Sequence, residues 1–440
     1  MSTRPVIPIR MTPGKPSPEQ RAAVDPHWRG RYLMLAPHRL AFFLAMVVLA
    51  GSGGWWALVQ IDRISGVAGL HYAVSPTLVH AAVMVFGFVP LFFSGFLFTA
   101  APKWLAVSPL DAPRLLAPLL FLAGGWIVWL AGAHWLAPLA TLGLVLALVG
   151  LVWVSFLYWR LVRLSRAEDQ VHARVIGVAC IVGCLSLGAV AVSLMMGALP
   201  LALAWVRVGL WGFVLVVFVS VAHRMIPFFT SSTMPMIAVW RPFWVLWLML
   251  ATAAIEVAAV WVELDGPPGG ALGSAWVLAR GLVELVVGGI LVWLAVVWGL
   301  VQSLKNRLLA MLHIGFLWLG LALLLAGVSQ LLGLLLGKPV LSLGALHALT
   351  MGCLASLMIA MVTRVSCGHS GRALVADTFS WTLFWLLQAA TVLRIAAAAQ
   401  GSGSAWLLLL AALLWAGVMA VWGVRLGGWF GRLRADGRPG

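Results

Sequence analysis

Two histidines are the first residues in this chain whose type and position suggest chemistry. His80 and His347 each lie about six residues into a long apolar stretch, so at roughly 1.5 Å per residue both imidazoles are roughly 9 Å below the same membrane surface. Ionisable side chains are rare inside membrane spans and are functional candidates there. On two helices that run in the same direction, these imidazoles could ligate a haem iron from its two faces. The alternative is that each histidine only forms a hydrogen bond with a neighbouring helix.

Methionines and glycines follow the two histidines at the spacing of one helical face. Met84 lies four residues after His80, and Met351 lies four residues after His347. Small residues such as Gly95 on the first of these helices leave room for a flat macrocycle to approach. A haem held by the two histidines would therefore be lined by Met84 and Met351. The same residues would also serve simply to pack helices together.

A second group of histidines is predicted near the opposite membrane surface. His223 lies near the end of one apolar stretch, His313 near the start of another, and His369 in a basic connection. Imidazole is a suitable ligand for copper, so these three residues are candidate ligands of a second, copper-binding site. They could equally form a polar network, with neighbouring arginines extending to lipid phosphates.

The composition of the chain identifies the elements that must position these side chains. Of 440 residues, 63% are hydrophobic and 9% are charged, and the mean hydropathy is +1.06. Soluble domains contain roughly 25% charged residues, so lipid must cover most of this molecule. A net charge of +16 would suggest nucleic acid as the partner of a soluble protein. Here the basic residues lie in short connections between apolar stretches, so we predict a lipid bilayer and no nucleic acid.

Twelve stretches of the chain are long and apolar enough to span a bilayer, which takes roughly 20 residues in a helix. Short polar or Pro/Gly-containing turns separate them, so the predicted fold class is all-α, an integral membrane bundle of about twelve helices. The predicted spans are residues 40–60, 74–101, 114–132, 136–159, 173–197, 201–229, 242–262, 275–302, 308–336, 341–363, 378–398 and 404–426.

Lysine and arginine occur mainly in alternate connections and in the tails, beginning with Arg29, Arg31 and Arg39. Since basic connections stay on the cytoplasmic side, we predict that both termini are cytoplasmic. Residues 1–38 are predicted to be a disordered, Pro-rich basic tail, 39–428 a single transmembrane domain, and 429–440 a basic tail. Arg280 and Glu284 have the spacing of a structural ion pair. No nucleotide-binding or hydrolytic motif is present, which leaves redox chemistry as the enzymatic reaction to consider.

Three segments resemble sequence motifs of the NnrS family of haem- and copper-containing membrane proteins. The segment from His80, HAAVMVFGFVPLFFSGFLFTAAPKW, is similar to the family's HAHEMxFGF followed by GFLLTAxPxW. The segment from Ser220, SVAHRMIPFFT, resembles GRxIPFFT, and the segment from His347, HALTMGCLASLMIAMVTRVSCGHSGRAL, resembles HALTxG…MxxRxSxGHTGR. Ala82 and Val83 stand where the family has histidine and glutamate, and His223 stands where it usually has glycine. Any metal chemistry that depends on those family residues is therefore altered in this chain.

The resemblance implies a haem-binding protein of the bacterial cytoplasmic (inner) membrane that takes part in the response to nitric oxide or nitrosative stress. A b-type haem ligated by His80 and His347 near the outer face would bind a diatomic gas or exchange electrons with a partner protein. A looser similarity to the catalytic subunits of haem-copper oxidases, which also carry haem ligands on spans 2 and 10, agrees with this placement. The alternatives are a transporter or scaffold with structural histidines, and a haem or metal assembly factor. The oligomeric state stays open.

Overall fold

Across the residues that the structure describes, twelve long α-helices form the fold of this protein. The computed structural model describes residues 27–266, 269–341, 343–400 and 404–436, and all secondary structure in that part of the chain is helical. Twelve of the helices are long and apolar enough to span a membrane, so the predicted all-α polytopic bundle is confirmed. We number these spans α1 Pro37–Ser65, α2 Pro76–Trp104, α3 Pro113–Trp135, α4 Ala137–Leu164, α5 Val171–Met195, α6 Leu199–Thr233, α7 Phe243–Val262, α8 Gly270–Val297, α9 Arg307–Leu336, α10 Gly344–His369, α11 Thr378–Gln400 and α12 Ala405–Phe430.

Proline and glycine set the ends of several helices. Pro37, Pro76 and Pro113 occupy the first turns of α1, α2 and α3, where the N–H that proline lacks would have no intrahelical acceptor. Gly66 and Gly337 end α1 and α9 with φ values of 65° and 63°, in the left-handed region that glycine adopts at little cost. Such ends allow short connections, so each helix packs against the next along the chain.

The bundle closes on itself, because α12 packs against α1. α2 also contacts both α6 and α10, and these three helices are, with α9, the most buried of the spans. Small residues allow neighbouring helices to approach closely. A Cβ atom on Gly125 of α3, for example, would lie 2.4 Å from the backbone nitrogen of Ala147 on α4. Side chains on α2, α6 and α10 can therefore face the interior of the bundle instead of lipid.

The regular hydrogen bonding of α2, α6 and α10 is interrupted. Gly87 divides α2 with φ −79° and ψ −91°, and a Cβ atom there would collide with the Val83 carbonyl oxygen. Pro90 lies in the first turn after this break, which relieves the clash between a proline ring and a preceding helical turn. π-helical turns occur at Leu210–Leu215 in α6 and at Ala348–Ala355 in α10. Such turns are frequent at functional sites, and the sequence did not predict them.

Part of the predicted N-terminal tail is helical, and the described part of the predicted C-terminal tail packs against the bundle. Residues 1–26 and 437–440 of the predicted tails lie outside the described part of the chain. Gly30–Leu35 form a 3₁₀ helix and α1 starts at Pro37, so residues 30–38 are not a disordered tail. Residues 431–436 lie against the α10–α11 connection, where the Ala435 N–H donates to the Ser370 carbonyl at 2.9 Å.

Arg39 joins these two terminal segments. Its side chain is buried, and its guanidinium donates to the carbonyl oxygens of Phe430 at 3.3 Å and Arg432 at 2.7 Å. Carbonyl groups at the C-terminal end of a helix carry partial negative charge and have no intrahelical donor. Arg39 therefore caps α12, which is a structural role beyond the topological one that the sequence indicated.

Gly371 tolerates no side chain in its present conformation. Its φ is 73°, and a Cβ atom would lie 2.5 Å from Asp436 Oδ1 and 2.8 Å from the Asp436 backbone nitrogen. We expect Gly371→Ala to displace the C-terminal segment and to lower the free energy of unfolding by about 1–2 kcal/mol, the cost of a left-handed residue other than glycine. Thermal melting followed by tryptophan fluorescence measures this change. The control is Gly368→Ala, whose Cβ atom would meet Leu374 at 3.5 Å; equal melting of both variants would contradict the prediction.

Candidate functional site

His80, His347 and Arg394 lie near one another at the end of the bundle where α2 and α10 begin. His80 lies in the second turn of α2, and His347 lies in the first turn of α10, just before its π-helical turn. The two imidazoles interact electrostatically with each other and with Arg394 of α11. Both histidine side chains are half-buried. We call these residues, together with Trp56 and Arg63, the His80–His347 site.

The imidazole of His347 is oriented by its own helix. Its Nδ1 atom lies 2.8 Å from the Leu343 carbonyl oxygen. Because a carbonyl oxygen only accepts hydrogen bonds, Nδ1 carries the proton and Nε2 keeps a free lone pair. A histidine whose Nδ1–H is held by a backbone carbonyl is the usual arrangement for metal ligation through Nε2.

The imidazole of His80 is held by an aromatic ring instead of a hydrogen bond. Trp56 of α1 stacks on it, with ring centroids 3.9 Å apart and an interplanar angle of 17°. The Nδ1 atom of His80 is buried and has no hydrogen-bond partner among the described residues. A buried polar atom without a partner is rare in folded proteins, and at a histidine it is compatible with binding a ligand that the protein alone does not supply.

Two arginines make the His80–His347 site positively charged. The Arg63 guanidinium lies over the Trp56 ring, 5.2 Å from its centroid, and Arg394 interacts with both histidines. In the described part of the chain, neither arginine forms an ion pair with a carboxylate. Asp62, beside Arg63, instead accepts two backbone N–H groups of the α1–α2 connection. An anionic group bound here would therefore meet two uncompensated cations.

The two methionines predicted for the haem pocket lie in different local structures. Met84 is half-buried and lies one turn after His80 on the same regular helical segment. Met351 is buried within the π-helical turn of α10. Because such a turn bonds residue i to i+5 instead of i+4, the α-helical spacing that paired Met351 with His347 does not hold in the structure.

His223 belongs to a buried pair of histidines. Its Nε2–H donates to the Pro242 carbonyl at 3.1 Å, so its Nδ1 accepts the Nε2–H of His172 at 2.9 Å. The remaining nitrogen, Nδ1 of His172, is buried without a hydrogen-bond partner among the described residues. The sequence did not indicate His172 because the predicted fifth span began at residue 173, whereas α5 begins at Val171.

The other two histidines of the predicted second metal site have different partners. His313 Nε2 lies 2.9 Å from the Thr230 hydroxyl and links α9 to α6. The ring of His369 packs against His38 of α1 with centroids 4.6 Å apart. Across the described ranges, no group of three or more His, Cys, Asp or Glu side chains is arranged to hold a metal ion. The structure therefore does not bring His223, His313 and His369 together as one copper site.

A separate cluster of charges links α7 and α8. Arg280 contacts Glu284 at 3.0 Å, as the spacing predicted, and also contacts Glu256 at 2.6 Å and Glu263 at 2.7 Å. The side chains of Glu256 and Glu284 are 3% and 1% exposed, so water cannot replace a lost partner. One guanidinium therefore contacts three carboxyl groups, two of which are buried, and we interpret this cluster as structural.

Comparison with known proteins identifies the family of this chain. The sequence profile described as NnrS protein matches residues 32–434 of the 440. That range includes all of α1–α12, and with them His80 and His347. A comparison with curated proteins finds no match. Because the profile covers far more than half of the sequence, this twelve-helix membrane protein belongs to the NnrS family.

Proposed function

We propose that this protein binds a b-type haem between His80 and His347, near the outer membrane surface, and acts in the response to nitric oxide. The observation that carries the proposal is a pair of imidazoles on two inner helices, of which His347 keeps its Nε2 lone pair free and His80 has a buried Nδ1 atom that no described residue engages. Membership of the NnrS family supports the proposal, because the motif resemblance implies both the haem and the nitric oxide response.

The residues beside the two imidazoles fit axial ligation of a haem iron. The Leu343 carbonyl holds Nδ1 of His347 and leaves Nε2 for the metal, the outer-shell arrangement common at metal-bound histidines. Trp56 restricts the His80 ring to one plane by stacking on it. Both ligands would therefore be oriented before the haem binds, which lowers the entropy that binding costs.

The two arginines fit the acidic edge of the same cofactor. A haem carries two propionate carboxylates, and an arginine pairs with a carboxylate through charge-assisted hydrogen bonds. Arg63 and Arg394 have no carboxylate partner within the described residues. We propose that they neutralise the propionates, because two unpaired cations beside a membrane-embedded site need counter-charges.

The bound haem would supply an iron that takes a diatomic gas or a single electron. His80 and His347 would hold the group through their imidazoles, so gas binding would require one imidazole to move away, whereas electron transfer would require neither to move. A partner protein would then donate or accept the electron. We place the protein in the bacterial inner membrane, with the basic connections on the cytoplasmic side.

Copper is not part of this proposal. His223, His313 and His369 have separate partners, and hydrogen bonds already engage ring nitrogen atoms of His223 and His313. Ala82 and Val83 also replace the histidine and glutamate of the family motif. The residues present therefore do not fit a copper site built from these three histidines.

Transport is the second candidate function, because the three interrupted helices favour it. Breaks in inner helices line substrate pathways in many transporters, where unwound backbone faces a cavity. The breaks in α2, α6 and α10 occur every fourth span, a regularity that the sequence did not reveal. In this alternative, the histidines are structural and the purified protein is colourless.

A reduced-minus-oxidised visible spectrum of the detergent-purified protein tests the proposal. We expect a b-type signal corresponding to about one haem per chain. A spectral shift on adding nitric oxide supports gas binding, whereas reversible reduction without a shift supports electron transfer. Haem far below this stoichiometry that exchanges with free haem indicates an assembly factor. A protein without a Soret band after haem supplementation contradicts haem binding and favours transport.

A further inference from the structure

A cavity lies at the end of the bundle opposite the His80–His347 site, between the α10–α11 connection and the C-terminal end of α12. We call it the Arg372 cavity. Its volume is about 290 Å³, enough for a tetrahedral phosphate group. Exposed residues on its wall show that it reaches the protein surface. Its lining consists of Cys367, Arg372, Ala373, Val375, Asp377, Ser380, Arg425 and Trp429.

One of the two arginines in this cavity is already compensated. Arg425 forms an ion pair with Asp377. The Asp377 carboxylate also accepts the Ser380 backbone N–H at 3.0 Å. Burial opposes ionisation of Asp377, but the hydrogen bonds from Ser380 and Arg425 outweigh it and lower the pKa of this carboxyl group. Asp377 is therefore ionised at neutral pH and balances one positive charge.

Arg372 is the uncompensated charge of the cavity. Its guanidinium lies over the Trp429 ring, 4.4 Å from the centroid, and no described carboxylate pairs with it. Burial lowers the pKa of Arg372, and the neighbouring charges of Arg432 and Arg425 act in the same direction although Cys367 opposes them. The protein thus holds a half-buried guanidinium with two other arginines close to it. An anion in the cavity would supply the missing counter-charge.

We propose that the Arg372 cavity binds a phosphate group, either of free phosphate or of an anionic lipid headgroup. Arginine suits this ligand because its planar group donates two parallel hydrogen bonds to phosphate oxygens. Trp429 stacks with Arg372 and with Arg425, whose guanidinium lies 5.4 Å from the ring centroid, and so holds both guanidinium groups at the cavity. The cavity lies at a helix end near the membrane surface, where both phosphate sources are present.

Phosphate titration of the full-length protein in detergent tests this proposal. At constant ionic strength, we expect phosphate but not chloride to raise the melting temperature in a saturable way. Arg372→Gln should weaken the apparent affinity by about tenfold or more, as expected when a hydrogen bond to a charged group is lost. The matched control is Arg163→Gln, which removes an exposed positive charge at the same end of the bundle and should leave the phosphate response unchanged.

A second arm distinguishes the two sources of phosphate. The protein is placed in nanodiscs of phosphatidylcholine with or without phosphatidylglycerol. Stabilisation by phosphatidylglycerol that depends on Arg372, without a response to free phosphate, assigns the site to a lipid headgroup. The reverse result assigns it to free phosphate. No Arg372-dependent stabilisation in either arm, or an equal loss in Arg163→Gln, overturns the proposal.

Arg372→Lys keeps the test decisive if Arg372→Gln does not fold. Lysine retains the positive charge but cannot make two parallel hydrogen bonds from one planar group. We expect this variant to fold and to bind the phosphate group several-fold more weakly than the wild type. An unchanged response would overturn the assignment of the Arg372 guanidinium as the ligand.

Discussion

Replacing His80 or His347 is expected to abolish the proposed haem binding. His80→Ala and His347→Ala should each lower haem affinity by more than the roughly 10- to 100-fold that loss of an outer-shell partner costs, because each variant removes one of the two proposed iron ligands. The measurement is haem per chain after purification, together with the affinity for added haem. Reduced haem retained by one variant should also bind nitric oxide faster, since an axial position is open.

A neighbouring histidine provides the control for this experiment. His71 is exposed and lies in the α1–α2 connection at the same end of the bundle, so His71→Ala should retain the haem content of the wild type. His80→Gln keeps a polar side chain at the half-buried position and separates loss of a ligand from loss of folding. Full haem content in folded His80 and His347 variants would contradict ligation by these residues and would leave them with structural roles only.

The positions of the helices could be predicted because each span is recognised from the hydropathy of its own residues and from the basic residues directly beside it. Each predicted span corresponds to one of α1–α12. The errors are at the helix ends, where backbone geometry decides. The eighth span was predicted as 275–302, but the helix ends at Val297 because Gly299, with φ 105°, turns the chain into a separate one-turn helix. The π-helical turn at Ala348–Ala355 was not predictable, since no residue type in it is specific for that geometry.

The candidate ligands could be selected from the sequence, but their surroundings could not. A histidine inside an apolar span is conspicuous because it is costly there. Trp56, however, precedes His80 by 24 residues and Arg394 follows His347 by 47, so no local spacing connects them.

Depth in the membrane is also insufficient to group side chains. His223, His313 and His369 were combined because they lie at a similar depth, which follows from position along each helix. The direction in which a side chain points around the helix axis is independent of its depth. How the helices pack therefore determines which neighbours each side chain contacts. The structure accordingly gives His223 the partner His172, and His369 the partner His38.

Arg280→Ala is expected to destabilise the protein more than any other single substitution considered. Its guanidinium contacts Glu256, Glu263 and Glu284, of which Glu256 and Glu284 are buried. Removing one partner of a buried ion pair costs about 3–5 kcal/mol, because the charge that remains is neither solvated nor paired. We expect a large loss of thermal stability in detergent, measured by tryptophan fluorescence and by recovery of monodisperse protein.

A charge-balanced variant separates electrostatics from packing at this cluster. Adding Glu256→Gln and Glu284→Gln to Arg280→Ala removes the uncompensated buried carboxylates while keeping their volume, so part of the lost stability should return. Arg207→Ala is the matched control, because Arg207 is an exposed arginine of α6 without an ion-pair partner among the described residues, and it should change stability by roughly 0.5 kcal/mol or less. If the triple variant melts no higher than Arg280→Ala, Arg280 stabilises the bundle mainly by filling space between α7 and α8. If Arg280→Ala melts like the wild type, the cluster contributes little to folding, and its buried carboxylates then require a functional explanation.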